Sequence, residues 1–189
     1  MKEQIMNMPA VALRGLTILP GMIAHFDISR ERSLRAIEEA MEQDQKIYLV
    51  TQRNVDSEDP TQEDLYQMGI VADIKQVVRL QNDVVRILVD GISRAALLGF
   101  TGCEKYLEAE ICYFDSNKDS LPEDLREAML LGVREAFHRY AAVIGKISKE
   151  LIRQIDQYED LEKLIDYVTN NLPVSYELKQ QVLEAEDIN

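Results

Sequence analysis

The stretch that most constrains the fold runs from Gly69 to Phe100 and reads as one long two-stranded hairpin. In the return arm Val85, Ile87 and Val89 alternate with Arg86, Leu88 and Asp90, so one face is apolar and the other mixed. In the outgoing arm Ile70, Ala72 and Ile74 share a face, while Asp73 and Lys75 point away. The apolar phase then shifts to Val77, which predicts a bulge or a strand that changes neighbours. Gln81, Asn82 and Asp83 between the arms are residues that tolerate the left-handed backbone of a tight turn. Arms of about ten residues exceed the usual strand length of about five or six. Such a hairpin has to curl, and it is expected to be the spine of a small, closed or half-closed β-barrel.

The rest of the chain supplies that barrel with strands and one helix. Residues 8–13 read as a first strand after a frayed 1–7. Pro20 and Gly21 mark a turn before a second strand over 22–28. Ser29 is the expected cap of a helix over 30–43, with Leu34, Ile37, Ala40 and Met41 as its buried stripe. A third strand covers 46–51. A polar loop over 52–63 follows, with Thr61 and Asp64 spaced to start one helical turn. The last strand spans Tyr106–Phe114, and Cys112 is expected to be buried in its alternation.

At 115–120 the apolar period changes from two to 3.6, which places a boundary between a barrel subdomain at 1–115 and a helical bundle subdomain at 116–189. Ser120 and Glu123 have capping-box spacing. The first bundle helix is expected to reach about Lys146, with Leu125, Met129, Val133, Phe137, Tyr140 and Ile144 on its apolar face. A short helix begins at Ser148, and another covers about 159–170 and stops before Pro173. A last helix is capped by Ser175. No stop signal follows it, which is the pattern of a piece truncated at its C-terminus. The fold class is therefore α+β.

Composition limits function. The 189 residues carry a net charge of −13, with Lys and Arg scattered among carboxylates. Nucleic acid, which requires clustered cations, is an unfavoured partner. No apolar run approaches the roughly 18 residues of a membrane span, and the N-terminus lacks a signal-peptide core, so the expected location is cytoplasmic with no membrane partner. The two cysteines, Cys103 and Cys112, lack metal-ligand spacing, and no metal site is expected. Phosphate-binding glycine loops and the HExxH pattern are missing. Ser148 and Lys149 are adjacent on a helix, about 100° apart, and cannot form a dyad. No catalytic residue is assigned.

What remains is binding. Leu19, Pro20 and Met22 lie at a turn and Val78 and Leu80 near a hairpin tip, where apolar side chains tend to be exposed and to mark a contact surface. These five are the candidate substrate-binding residues.

The order of segments resembles the N-terminal, substrate-binding domain of the Lon family of ATP-dependent proteases, along essentially the whole chain. The resemblance is carried by residues 11–21, by 29–33 opening a helix, by 47–52, by Asp59–Pro60 with 64–66, by 69–72 and by 89–94. Met8–Pro9 stands where the family usually has a Leu-Pro pair. The resemblance implies a PUA-like β pseudo-barrel with one helix, followed by a helical bundle. It implies recognition of unfolded or damaged polypeptides and their delivery to ATPase and Ser–Lys protease modules of a cytoplasmic homohexamer. Those modules have no counterpart in this chain, so ATP and magnesium are expected only outside it, and the chain itself is expected to be non-catalytic. The alternative is a stand-alone PUA-like adaptor or ligand-binding module.

Overall fold

The computed structural model describes residues 5–113 and 122–185. The domain boundary at 115–120 and the Ser120 half of the capping box lie outside the described residues. The chain divides into two compact units, Met1–Asp115 with Ser175–Asn189, and Ser116–Val174.

The first unit is built on a six-stranded sheet of β1 (Ile5–Leu13), β2 (Ile23–Ile28), β3 (Lys46–Thr51), β4 (Met68–Arg79), β5 (Val85–Phe100) and β6 (Glu108–Tyr113). Its order is β2-β5-β4-β3-β1-β6, and β6 also pairs with the far half of β5. Only β1 and β3 run parallel; the other pairings are antiparallel. Residues 5–7, expected to fray, instead pair with β6 from Ile5↔Cys112 to Asn7↔Glu110.

β4 and β5 form the expected long hairpin. Asn82 and Asp83 turn it with φ of 59° and 56°. The predicted bulge is present, as register shifts between Val71 and Ala72 and between Ile74 and Gln76. The sheet is strongly curled but is not a closed barrel. β2 pairs only with the near half of β5, Ile28↔Val85 to Ile23↔Asp90, while β6 takes the far half, Ala95↔Tyr113 to Phe100↔Ala109. The β1–β6 register ends at Pro9. Among the described residues, Val11–Leu13 therefore have a strand on one side only, and so does β2. A seam is left between them.

Both faces are buried along residues 8–13 of β1, 47–51 of β3 and 68–72 of β4, which is why these stretches read as nearly continuous apolar runs. On one face Val11, Leu13, Ile47, Leu49, Ile70, Ala72, Ile87 and Val89 pack with α1 (Glu31–Glu42) through Ala36, Ile37 and Ala40. On the other face Met8, Ala10, Ala12, Tyr48, Val50, Val71, Ala95 and Ile111 form a second core. The hydroxyl of Tyr48, buried there, donates to the Ala95 carbonyl at 3.0 Å. Burial pushes its pKa well above the ordinary phenol range.

Three local expectations change. The N-cap of α1 is Arg30 rather than Ser29, and it makes no side-chain capping bond. Met41, placed in the buried stripe, is exposed, while Ser33 takes an inner position. Cys112 is half-buried rather than buried, because the outer face of β6 is partly open; Cys103 lies in the loop before β6, and both thiols are free.

The last helix, α5 (Tyr176–Glu184), also differs from the sequence grouping of 116–189: it packs on the sheet unit. The reason is a third apolar cluster of Leu183, Leu19 and Met68. Gln180, fully buried, donates to the Met68 carbonyl at 2.9 Å and accepts from the Thr17 hydroxyl at 3.3 Å. Thr17 in turn shares a 2.9 Å bond with Thr51.

The second unit holds α2 (Glu123–Ile144), α3 (Lys149–Gln157) and α4 (Leu161–Asn171). Gly145, at φ 66°, is the C-cap of α2, so the helix ends at Ile144, two residues short of the expected Lys146. The buried stripe of α2 is Leu130, Phe137 and Ala141; Leu125 and Ile144, expected inside, are exposed. Ser148 caps α3 by accepting from the Leu151 N–H at 3.1 Å. His138 bonds Asp156 at 2.8 Å, which accounts for its place on a helix of mixed character.

Candidate functional site

The five residues singled out from the sequence do not form one patch. Leu19 is 0% exposed and sits beneath α5, so no partner reaches it; the sequence signal of a turn was right, but the turn folds inward. Met22 is half-buried against the first core, and Pro20 is half-buried at the bend. Val78 and Leu80 are exposed, at 38% and 40%. They lie at the other end of β2. Met22 precedes Ile23, which faces Asp90, whereas Val78 faces Arg86, itself opposite Asp27. Four residues of strand separate the two places, about 13 Å along β2.

The alternation of β2 identifies what links them. Ala24, Phe26 and Ile28 face inward, and Ile23, His25 and Asp27 face out. Ile23, 69% exposed, is the most exposed apolar residue of the sheet unit among the described residues, and sequence reasoning passed over it. The signal was available: His25 and Asp27 fix the outward phase of the strand, and Ile23 shares it. Ile92 on β5, 43% exposed, is two residues beyond Asp90, the partner of Ile23; it is the extra residue where Gly91 and Ser93 face Ala72 and Val71, and it keeps the exposed phase of Arg86. The outer face of β2, β5 and β4 thus carries Ile23, Ile92 and Val78, with Leu80 at the hairpin tip.

Ion pairs are interleaved with these apolar side chains. Arg86 binds Asp27 through two bonds, at 2.6 and 2.8 Å, and holds its carboxyl below the usual carboxylate range. Asp73 accepts from Lys75 and from Lys46, both at 3.1 Å, and these two ammonium groups depress its pKa, Lys75 most. A surface of this kind offers apolar contact in separate spots and polar contact between them, without a deep specificity pocket.

A cleft of about 460 Å³ opens at the seam. Val11–Arg14 line one wall, Phe26–Ser29 the other, and Arg30 and Ser33 at the start of α1 close it. Among the described residues no three His, Cys, Asp or Glu side chains are grouped to hold a metal ion, and no helix is long and apolar enough to cross a membrane.

The family model described as the ATP-dependent protease La (LON) substrate-binding domain matches residues 7–189. The chain is 37% identical over 188 residues to a Lon protease of Lachnoclostridium phytofermentans, covering 100% of this chain and 23% of that protein. It is 35% identical over 185 residues to the Lon protease of Clostridioides difficile, covering 96% and 24%. With Lon protease 1 of Bacillus subtilis it shares 31% over 184 residues, covering 96% and 23%. The chain therefore spans about a quarter of the length of these curated relatives. Among solved structures, the N-terminal domain of a Mycobacterium avium complex Lon protease superposes with a TM-score of 0.76 at 18% identity, covering 97% of this chain and 91% of the other. A Lon N-terminal domain protein from Xanthomonas campestris superposes at 0.51 and 14% identity, covering 89% and 99%. These two likenesses concern the fold.

Proposed function

We propose, on the premise that this chain belongs to the Lon protease substrate-binding domain family, that it is a non-catalytic recognition module which binds unfolded or damaged polypeptides. The observation that carries this reading is the outward strip of Ile23, Ile92, Val78 and Leu80 on the β2–β5–β4 face. Unfolded chains present scattered apolar side chains separated by polar ones. A face with spaced apolar contacts and charge between them matches that pattern without demanding one sequence. Pro20 and the exposed part of Met22 extend the strip past Ile23.

In the same reading the captured polypeptide passes to ATPase and serine-protease modules carried elsewhere in the protein, and subunits assemble as a hexamer in the cytoplasm. ATP and magnesium belong to those modules.

The test uses the 189-residue chain with a reduced, unfolded model protein. The chain slows aggregation of that protein and hydrolyses neither ATP nor peptide. A chain carrying Ile23→Ser, Ile92→Ser and Val78→Ser keeps its circular dichroism spectrum and loses most of this protection. Undiminished protection by the triple variant discards the face, and ATP hydrolysis by the pure chain discards the reading.

A further inference from the structure

The seam between β1 and β2 has a chemical character unlike the rest of this acidic chain. Two guanidinium groups, Arg14 and Arg30, line its cleft. Neither makes an ion pair with a carboxylate among the described residues. Arg14 donates to the Ser57 carbonyl at 2.9 Å, and Arg30 donates to the neutral Gln52 side chain at 2.5 Å. Two cations are thus held near one cleft by neutral acceptors in a protein of net charge −13. Burial lowers the pKa of Arg30, the field of Arg14 lowers it further, and the fields of the nearby Asp59 and Glu58 carboxylates act in the opposite direction without reversing the shift.

Two carboxylates also line the cleft, but one is engaged elsewhere: Asp27 is bound by Arg86. The other, Glu58, makes no ion pair among the described residues. The neighbouring Asp59 pairs with Arg32, at 3.3 Å.

An independent feature points into the same space. Ser33 is 5% exposed and is among the residues that line the cleft. Ser33 also stands in the first turn of α1, whose cap contributes no side-chain bond, so the positive end of the helix opens toward the cleft.

The walls say what else the ligand is. Val11, Leu13, Leu16, Phe26 and Ile28 supply apolar surface. The backbones of Val11–Leu13 and of β2 each lack a strand on the cleft side. An extended chain entering the seam can bond to such an edge as an added strand. A volume of about 460 Å³ is in the range of small-ligand sites, roughly 300–1,000 Å³.

We propose that this seam binds the free C-terminal end of an apolar polypeptide, its backbone laid along the open strand edges and its α-carboxylate between Arg14, Arg30 and Ser33. An acidic side chain offers the same carboxylate, but its own backbone runs past the cleft rather than ending in it. The proposal deepens the polypeptide-binding reading and rests on it.

The test measures anisotropy of a short labelled peptide of leucine, valine and alanine in two forms, free acid and C-terminal amide. Loss of a charge-assisted bond at a partly desolvated site predicts that the free acid binds at least about ten-fold tighter than the amide. Arg14→Gln, at an exposed position, and Ser33→Ala each bring that ratio toward one. Arg79→Gln, an exposed arginine outside the cleft, leaves it unchanged.

Equal binding of acid and amide, with the unfolded model protein still captured, overturns this site and leaves the wider function standing. Failure to bind the unfolded protein and both peptides overturns the two together. Inorganic phosphate that occupies the cleft without any preference for acid over amide makes it a simple anion site and refutes the chain-end assignment.

Discussion

A methyl group on Gly91 would lie 2.4 Å from the carbonyl oxygen of Leu19. The close approach is held from both sides: the Gly21 N–H donates to the Gly91 carbonyl at 2.8 Å, and the Gly91 N–H donates to the Met22 carbonyl at 3.0 Å. The 19–22 bend is therefore locked onto β5, with Leu19 turned in under α5 and Ile23 turned out. Gly91→Ala forces backbone apart, and we expect a loss of about 1–3 kcal/mol, read as a lower midpoint in urea.

Leu19 and Ile23 then separate stability from binding. Leu19→Ala empties part of a buried cluster and is expected to cost about 2–5 kcal/mol. Ile23→Ser changes stability by no more than about 0.5 kcal/mol, as at most exposed positions. Unfolded-protein capture follows the reverse order: Ile23→Ser weakens it, while Leu19→Ala retains it below its unfolding midpoint.

α5 is tied to the sheet by one buried polar residue. Gln180→Leu leaves the Met68 carbonyl and the Thr17 hydroxyl with one bond fewer in a dry site. We expect a loss of about 1–3 kcal/mol. Hydrogen exchange should show α5 opening before the sheet does.

These relationships also show what was legible in the sequence. The β4–β5 hairpin, its Asn82–Asp83 turn and its bulge could be read because strand alternation and turn chemistry are local. The binding surface was read less well. Turn position predicted exposure for Val78 and Leu80 and failed for Leu19. What buries Leu19 is α5, more than 150 residues away in sequence (Leu183 against Leu19), and no local pattern encodes that contact. The same long-range packing moved α5 out of the helical group. Ile23 was legible from the phase of His25 and Asp27, whereas the Pro20–Gly21 turn signal by itself points only to the residues that flank the turn. The seam was not legible, since it depends on where the β1–β6 register ends.

Acid pH supplies a further check. The Asp73 carboxyl titrates below its ordinary 3.8 because Lys75 and Lys46 stabilise its charged form. A depressed carboxylate adds stability that is fully present above pH 3.8 and fades as pH falls through the lower folded value. Asp73→Asn should therefore be less stable than the native chain at neutral pH, with the difference shrinking on acidification below about pH 4. Urea midpoints measured across that range decide it.

The central claim concerns which face meets the polypeptide. Amide resonances of the isotopically labelled chain, followed while a reduced unfolded protein is titrated in, map that face directly. The account predicts shift changes and broadening at Ile23, Ile92, Val78 and Leu80, with the buried residues of the first core unaffected. Perturbations confined to residues away from the β2–β5–β4 outer face and the seam, or none at saturating unfolded protein, would contradict it.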